Sequence, residues 1–95
     1  MRRDEARRHG PTQAVSDQQQ ALAYYEQALP LFRQVGDPGG EATTLNNVGL
    51  VYDDLGDKQQ ALEYFEQALP MHRQVGNRAT EARTLNNIGV VYDDL

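Results

Sequence analysis

The chain has 95 residues, a formal net charge of −5 and no cysteine. It has room for one small core, and a disulfide framework, a thiolate metal site and a thiol nucleophile are all excluded. Residues 1–10 carry Arg2, Arg3, Arg7 and Arg8 against Asp4 and Glu5, which leaves five basic and twelve acidic residues beyond them, so the two parts stand near +2 and −7. An acidic body repels phosphate backbones, which argues against nucleic acid, and its field favours a basic or neutral peptide. No segment approaches the run of about 18 apolar residues of a membrane span, and the charged N-terminus lacks the apolar stretch of a signal peptide; both point to a cytoplasmic chain with no membrane partner.

In chain order, residues 1–14 form a charged tail, broken at Gly10-Pro11, that matches nothing downstream. From there the sequence repeats at an offset of 40 residues: Asp17 to Pro30 reads DQQQALAYYEQALP and Asp57 to Pro70 reads DKQQALEYFEQALP, while TLNNVGLVYDDL returns as TLNNIGVVYDDL at the end. About two-thirds of the pairs between 16–55 and 56–95 are identical, which is repetition on the scale of a supersecondary unit. Asp17 and Asp57 each offer an N-cap, with Gln20 and Gln60 three positions on to complete a capping box. Apolar residues then recur at Ala21, Leu22, Tyr25, Ala28, Leu29, Phe32 and Val35, and at Ala61, Leu62, Phe65, Ala68, Leu69 and Val75, with the spacing of one helical face. These predict B helices over 17–35 and 57–75. Pro30 and Pro70 fall inside them, each four residues after a glutamate, on the solvent side, where a helix bends without breaking.

Gly36 and Gly76 read as left-handed stops, and Asp37 or Asn77 caps the following helix, with Pro38 at its first position. The A helices, 38–55 and 78–95, set Ala42, Leu45, Val48, Gly49, Val51, Tyr52 and Leu55 on the inner side of the first copy. Short turns make consecutive helices antiparallel neighbours in the order B, A, B, A. The array thus holds a half unit, a full unit and a half unit.

Leu45-x2-Val48-Gly49-x2-Tyr52, followed after eight residues by Ala61-x3-Phe65-x2-Ala68, resembles the tetratricopeptide repeat over residues 16–95. Gly49 and Ala61 are small where two helices cross closely, and Tyr52 and Phe65 fill the space beside them. Leu45 stands where that family has its usual Trp, and the 40-residue period puts Arg73 at the place of its closing proline. The longer period and the Leu-Asn-Asn-x-Gly run resemble the lengthened repeats of kinesin light chains, of the Pins family of spindle-orientation adaptors and of bacterial signalling proteins. The resemblance implies an all-α antiparallel helix-turn-helix solenoid fragment that acts as a non-catalytic adaptor or scaffold for protein or peptide partners. It also implies that helix A lines the concave side.

No catalytic constellation emerges. Asp53-Asp54-x-x-Asp57 spells the metal–diphosphate pattern of prenyl-transfer enzymes, yet a helix end and a helix cap split its carboxylates, and so small a solenoid encloses no deep apolar cavity. His72 takes the slot of Phe32 and reads as a partly buried helix residue and not as a ligand or base. Gly36-Asp37-Pro38-Gly39-Gly40 lacks the Lys-Ser/Thr of a phosphate loop. Tyr24, Tyr25, Tyr52, Tyr64 and Tyr92 keep helical spacing and read as core or crossing groups. Neither a cofactor nor a metal is expected.

Carrying the family's groove positions onto this chain gives Thr43, Asn46, Asn47, Leu50, Asp53 and Asp54 in one copy and Arg83, Asn86, Asn87, Val90, Asp93 and Asp94 in the other. Asparagines at matching points of successive repeats can bond the backbone of an extended peptide, with the aspartates favouring Lys or Arg. The competing role for these asparagines is to bond neighbouring helices and hold the stack together. The alternative function is self-assembly into a homo-oligomer through the uncapped ends: Leu85, Ile88, Val91, Tyr92 and Leu95 on the last A helix, and Leu22, Tyr25 and Leu29 on the first B helix.

Overall fold

The computed structural model describes residues 11–95, with side chains described from residue 16 onward. Four helices follow one another: α1 (Pro11–Val35), α2 (Pro38–Asp54), α3 (Lys58–Gln74) and α4 (Arg78–Asp94), and the described residues hold no strand. The all-α repeat architecture expected from the sequence is the one observed. Of the tail expected over 1–14, residues 1–10 lie outside the described residues and Pro11 to Ala14 are already helical.

Three turns of one design join the helices. Gly36, Gly56 and Gly76 all have positive φ, at 70°, 87° and 72°, the left-handed conformation that ends a helix without steric cost only in glycine. Each is followed by a cap: Asp37 accepts from the Gly40 N–H at 2.9 Å, Asp57 from the Gln60 N–H at 3.2 Å, and Asn77 from the Thr80 N–H at 3.2 Å. Asp17 departs from this pattern. It lies inside α1 and not at its cap, because the residue before it is Ser16 where the later copy has Gly56, and the chain has no left-handed stop there. Pro30 and Pro70 sit inside α1 and α3, both exposed, and neither helix is interrupted.

The contacts give the direction of packing. Tyr52, late in α2, meets Ala61 and Leu62, early in α3, whereas Leu45, early in α2, meets Ala68, late in α3; α2 and α3 are antiparallel. Val91, late in α4, packs on Ala61, Leu62 and Phe65, so α4 is antiparallel to α3 and parallel to α2. Gly49 is buried because the Phe65 ring lies on it: an added Cβ would come within 2.6 Å of the ring. Consecutive helices pair throughout, and beyond those pairs only α2 and α4 touch. The A helices α2 and α4 therefore lie side by side, and the side of the stack that they share is termed the inner face, that of the B helices α1 and α3 the outer. The radius of gyration of 15.1 Å exceeds the roughly 12 Å of a compact chain of this length, as a layered array requires.

The two inter-repeat joints differ in one instructive detail. At the first, Phe32 lies where a Cβ on Gly40 would stand, 2.4 Å from the ring. At the second, His72 occupies the slot of Phe32 and Thr80 that of Gly40, and Thr80 Oγ1 and His72 Nδ1 lie 2.9 Å apart. His72 is therefore not partly but almost wholly buried, at 2 % exposure. The Thr80 hydroxyl donates to the Asn77 carbonyl at 3.1 Å, which leaves it to accept from Nδ1–H; Nε2 is then a buried nitrogen with no partner. Each joint is also clamped by an ion pair, Arg33 to Glu41 at 2.6 Å and Arg73 to Glu81 at 2.9 Å.

Several side chains lie elsewhere than their spacing implies. Val35 and Val75 are exposed, since each is the last residue before its turn and no helix reaches over it. Tyr24 and Tyr92 are 72 % and 58 % exposed and are not core groups.

Candidate functional site

The inner face is built from two parallel helices whose outward stripes repeat. On α2 the exposed or half-buried residues Thr43, Asn47, Leu50 and Asp54 follow one another at intervals of four, three and four, one line along a helix. The opposite side of α2 holds Ala42, Leu45, Val48 and Gly49, all buried. Their copies on α4 are Arg83, Asn87, Val90 and Asp94. Leu50 and Val90, 39 % and 47 % exposed, supply an apolar patch at the same height on each helix.

The remaining groove candidates face other ways. Asn46 Oδ1 accepts from Thr84 Oγ1 at 3.1 Å; it bonds α2 to α4 and so takes the stack-holding role. Asn86, its copy, is exposed. Asp53 takes Lys58 Nζ at 2.5 Å, and the same ammonium lies 3.6 Å from Asp94. The hydrogen bond to Asp53 holds Lys58 above its ordinary range, against the lowering effect of burial. Asp93 is exposed beside Asn86's side of the helix. Around the C-terminal ends of α2 and α4, Lys58 thus joins Asp53 and Asp94, and with Asp54 and Asp93 beside them in the sequence this end of the face is acidic.

The residues proposed for self-association divide. Leu85, Tyr92 and Leu95 are 46 %, 58 % and 64 % exposed, and Ile88 and Tyr25 are half-buried. Val91 departs from the expectation: it is fully buried at 0 % exposure, because the side of α4 on which it lies is the one that packs on α3. Leu22 and Leu29 are buried at 9 % and 8 %, Leu29 against Leu45 of α2. These three belong to the chain's own core.

The Asp57 carboxylate is committed to its cap and that of Asp53 to Lys58, so the three carboxylates of the metal–diphosphate pattern do not converge. Among the described residues no group of three or more His, Asp or Glu side chains is placed to hold a metal, and no helix is long and apolar enough to cross a membrane. An open cleft at the α1–α2 turn, lined by Phe32, Arg33, Asp37, Glu41 and Met71 among others, has Arg33 bonded to Glu41 and Asp37 engaged in its helix cap. Tyr52 stacks on Tyr64 with ring centroids 5.6 Å apart, and burial raises its phenol above the ordinary range.

Sequence reasoning offered bonding between helices as one role of the asparagines without naming Thr84 as the partner of Asn46, and it missed the pairing of His72 with Thr80. That pairing had a visible signal, since the bulky Phe32 with Gly40 and the smaller His72 with Thr80 change together between the copies.

A model of the family described as Tetratricopeptide repeat matches residues 13–74. No curated protein and no solved structure matches the chain.

Proposed function

The chain belongs to the tetratricopeptide repeat family, whose repeats typically serve as non-catalytic protein-interaction modules, and on that premise we propose that this one binds an extended, basic peptide segment across the inner face of α2 and α4. The observation that supports this reading is the doubled stripe: Thr43, Asn47, Leu50 and Asp54 run beside Arg83, Asn87, Val90 and Asp94 on two parallel helices. Packed helices in contact lie about 8–10 Å apart, a distance that about three residues of an extended peptide cover. A peptide laid across the stripes would meet Asn47 and Asn87 in turn. Each amide can donate to a backbone carbonyl and accept from a backbone N–H, which gives affinity with little demand on side-chain identity.

Selectivity comes from what surrounds the amides. Leu50 and Val90 take an apolar side chain, and the acidic C-terminal end attracts Lys or Arg. Because Asp54, Asp93 and Asp94 are exposed, their contribution is mainly a long-range one that added salt weakens. The lengthened-repeat variety, like that of kinesin light chains, is consistent with the 40-residue period.

The test is capture from a library of extended peptides by the wild-type chain and by the Asn47→Ala, Asn87→Ala double variant. The expected result is selection of peptides with Lys or Arg and a weakening of about tenfold or more in the variant, with helix content unchanged. Equal binding by the two proteins, or selection of acidic peptides, would overturn the reading.

A further inference from the structure

α4 carries on its outer side an unfilled copy of the surface that α3 covers on α2. Four internal contacts show what is missing. Tyr52 of α2 stacks on Tyr64 of α3; its copy on α4 is Tyr92, 58 % exposed. Gly49 lies under the Phe65 ring, whereas around Gly89, its copy, a Cβ would find nothing within 4 Å. Leu45, 1 % exposed, is enclosed by Leu29 and Ala68; its copy Leu85 is 46 % exposed. Asn46 accepts from Thr84, and the copy Asn86 is exposed.

The group that would fill the surface is present at the other end of the same chain. α1 is the 40-residue copy of α3 and has no A helix before it among the described residues. Tyr24 corresponds to Tyr64 and is 72 % exposed, Tyr25 corresponds to Phe65, and Ala28 to Ala68. Thr44 corresponds to Thr84; it is 6 % exposed, and its hydroxyl donates to the Gly40 carbonyl at 2.9 Å in the single molecule.

We infer that copies of this chain associate head to tail, α1 of one molecule lying on the outer face of α4 of the next as α3 lies on α2. In that joint Tyr24 stacks on Tyr92, the Tyr25 ring enters the space above Gly89, Ala28 closes over Leu85, and Thr44 Oγ1 donates to Asn86 Oδ1. The occupant is specified by the repeat itself, because each position needed is the copy of one already making the contact inside the chain, with Tyr25 for Phe65 the one change of residue type. One contact is not reproduced: Gln18 stands where α3 has Lys58, so Asp93 gains no ammonium. The contact joins two different surfaces, and repeating it adds one molecule at each step without the pairing of like faces that closes a dimer.

Sedimentation velocity on the 95-residue chain over a range of concentration tests this, with two variants that leave the isolated fold intact. Gly89→Leu fills space that is empty in the single molecule but belongs to Tyr25 in the joint, and blocks the α4 end. Tyr24→Glu changes a side chain exposed in the single molecule and blocks the α1 end. The wild-type mass is expected to grow with concentration past the dimer, and each variant is expected to associate at least about tenfold more weakly. Mixed, the two variants should form a one-to-one dimer and stop, because one functional end of each kind remains. Circular dichroism on each variant should show unchanged helix content. A wild-type chain that stays monomeric at 100 micromolar and above, or a Gly89→Leu variant that associates like the wild type, would overturn the inference. Peptide binding on the inner face has no part in these measurements, so neither result bears on the proposed function.

Discussion

Replacing Gly49 and Gly89 by alanine should change stability unequally, although the two glycines are copies in nearly identical local sequence. At both positions alanine favours the helix by about 1 kcal/mol over glycine. At Gly49 the new methyl would also stand 2.6, 2.7 and 3.1 Å from three carbons of the Phe65 ring, where carbon atoms at rest sit about 3.5–4.0 Å apart. The ring must retreat by about 1 Å, and Phe65, at 1 % exposure, is held by Ala61, Leu62 and Val91. Overpacking of this kind costs about 1–3 kcal/mol. At Gly89 there is no neighbour to meet. The helix-propensity gain is common to both sites, so the difference between them isolates the packing cost: Gly49→Ala should be less stable than Gly89→Ala by about 1–3 kcal/mol, equivalent to roughly 4–8 °C in Tm for each kcal/mol. Urea and thermal unfolding followed by circular dichroism, at low concentration so that association does not contribute, would measure it. If Gly49→Ala proved as stable as Gly89→Ala, the close crossing of α2 and α3 over a bare backbone would be refuted.

Three further outcomes follow from particular contacts. Gly40→Thr alone should destabilise by forcing a side chain into the Phe32 ring, and Phe32→His alone should leave an imidazole without a partner. Together they rebuild the His72–Thr80 pair, so a double-mutant cycle by urea unfolding should give a favourable coupling of about 1 kcal/mol or more. The His72 imidazole is held below its ordinary 6.5 by burial, against the raising pull of Glu81. The unfolded chain therefore binds a proton that the folded chain refuses: stability is full above pH 6.5 and falls as the pH drops below it. The slope is at most about 1.4 kcal/mol per pH unit, until the native imidazole itself protonates. The variant His72→Phe, Thr80→Gly, which recreates the Phe32–Gly40 pair, should flatten the profile between pH 6.5 and about 5, above the carboxylate range, in pH-resolved unfolding. Thr84→Val keeps the volume but removes the bond to Asn46, and should cost about 1 kcal/mol with no change in helix content by circular dichroism.

The fold was legible because each local signal agreed with the others. The glycine stops, the Asp or Asn caps and the helical apolar spacing all marked the same boundaries, and the repeat stated them twice. The start of α1 was not legible, because Asp17 carries the cap residue of its copy without the glycine stop that makes a cap necessary. The inner face was legible only in part. The family resemblance carried six residues of α2 and six of α4 onto one face, but neighbouring helices use two of those on α2. Asn46 is drawn to Thr84 and Asp53 to Lys58, partners 38 and 5 residues away respectively. Val91 was misplaced for a related reason: a terminal helix lacks a neighbour on one side only, and the side on which Val91 lies is covered by the helix before it. The exposed tyrosines carried the same lesson, since Tyr24 and Tyr92 are identical in type to the stacked Tyr64 and Tyr52 and differ in having no stacked ring among the described residues.

A heteronuclear NMR titration with a Lys- or Arg-containing extended peptide selected from a library bears most directly on the proposed role. The account predicts that the backbone and side-chain amide signals of Asn47 and Asn87 shift together, with those of Thr43, Leu50, Arg83 and Val90, while the outer surfaces of α1 and α3 stay unchanged. Shifts centred on Gln27, Gln34, Gln67 and Gln74 of α1 and α3, with the two asparagines unmoved, would contradict it.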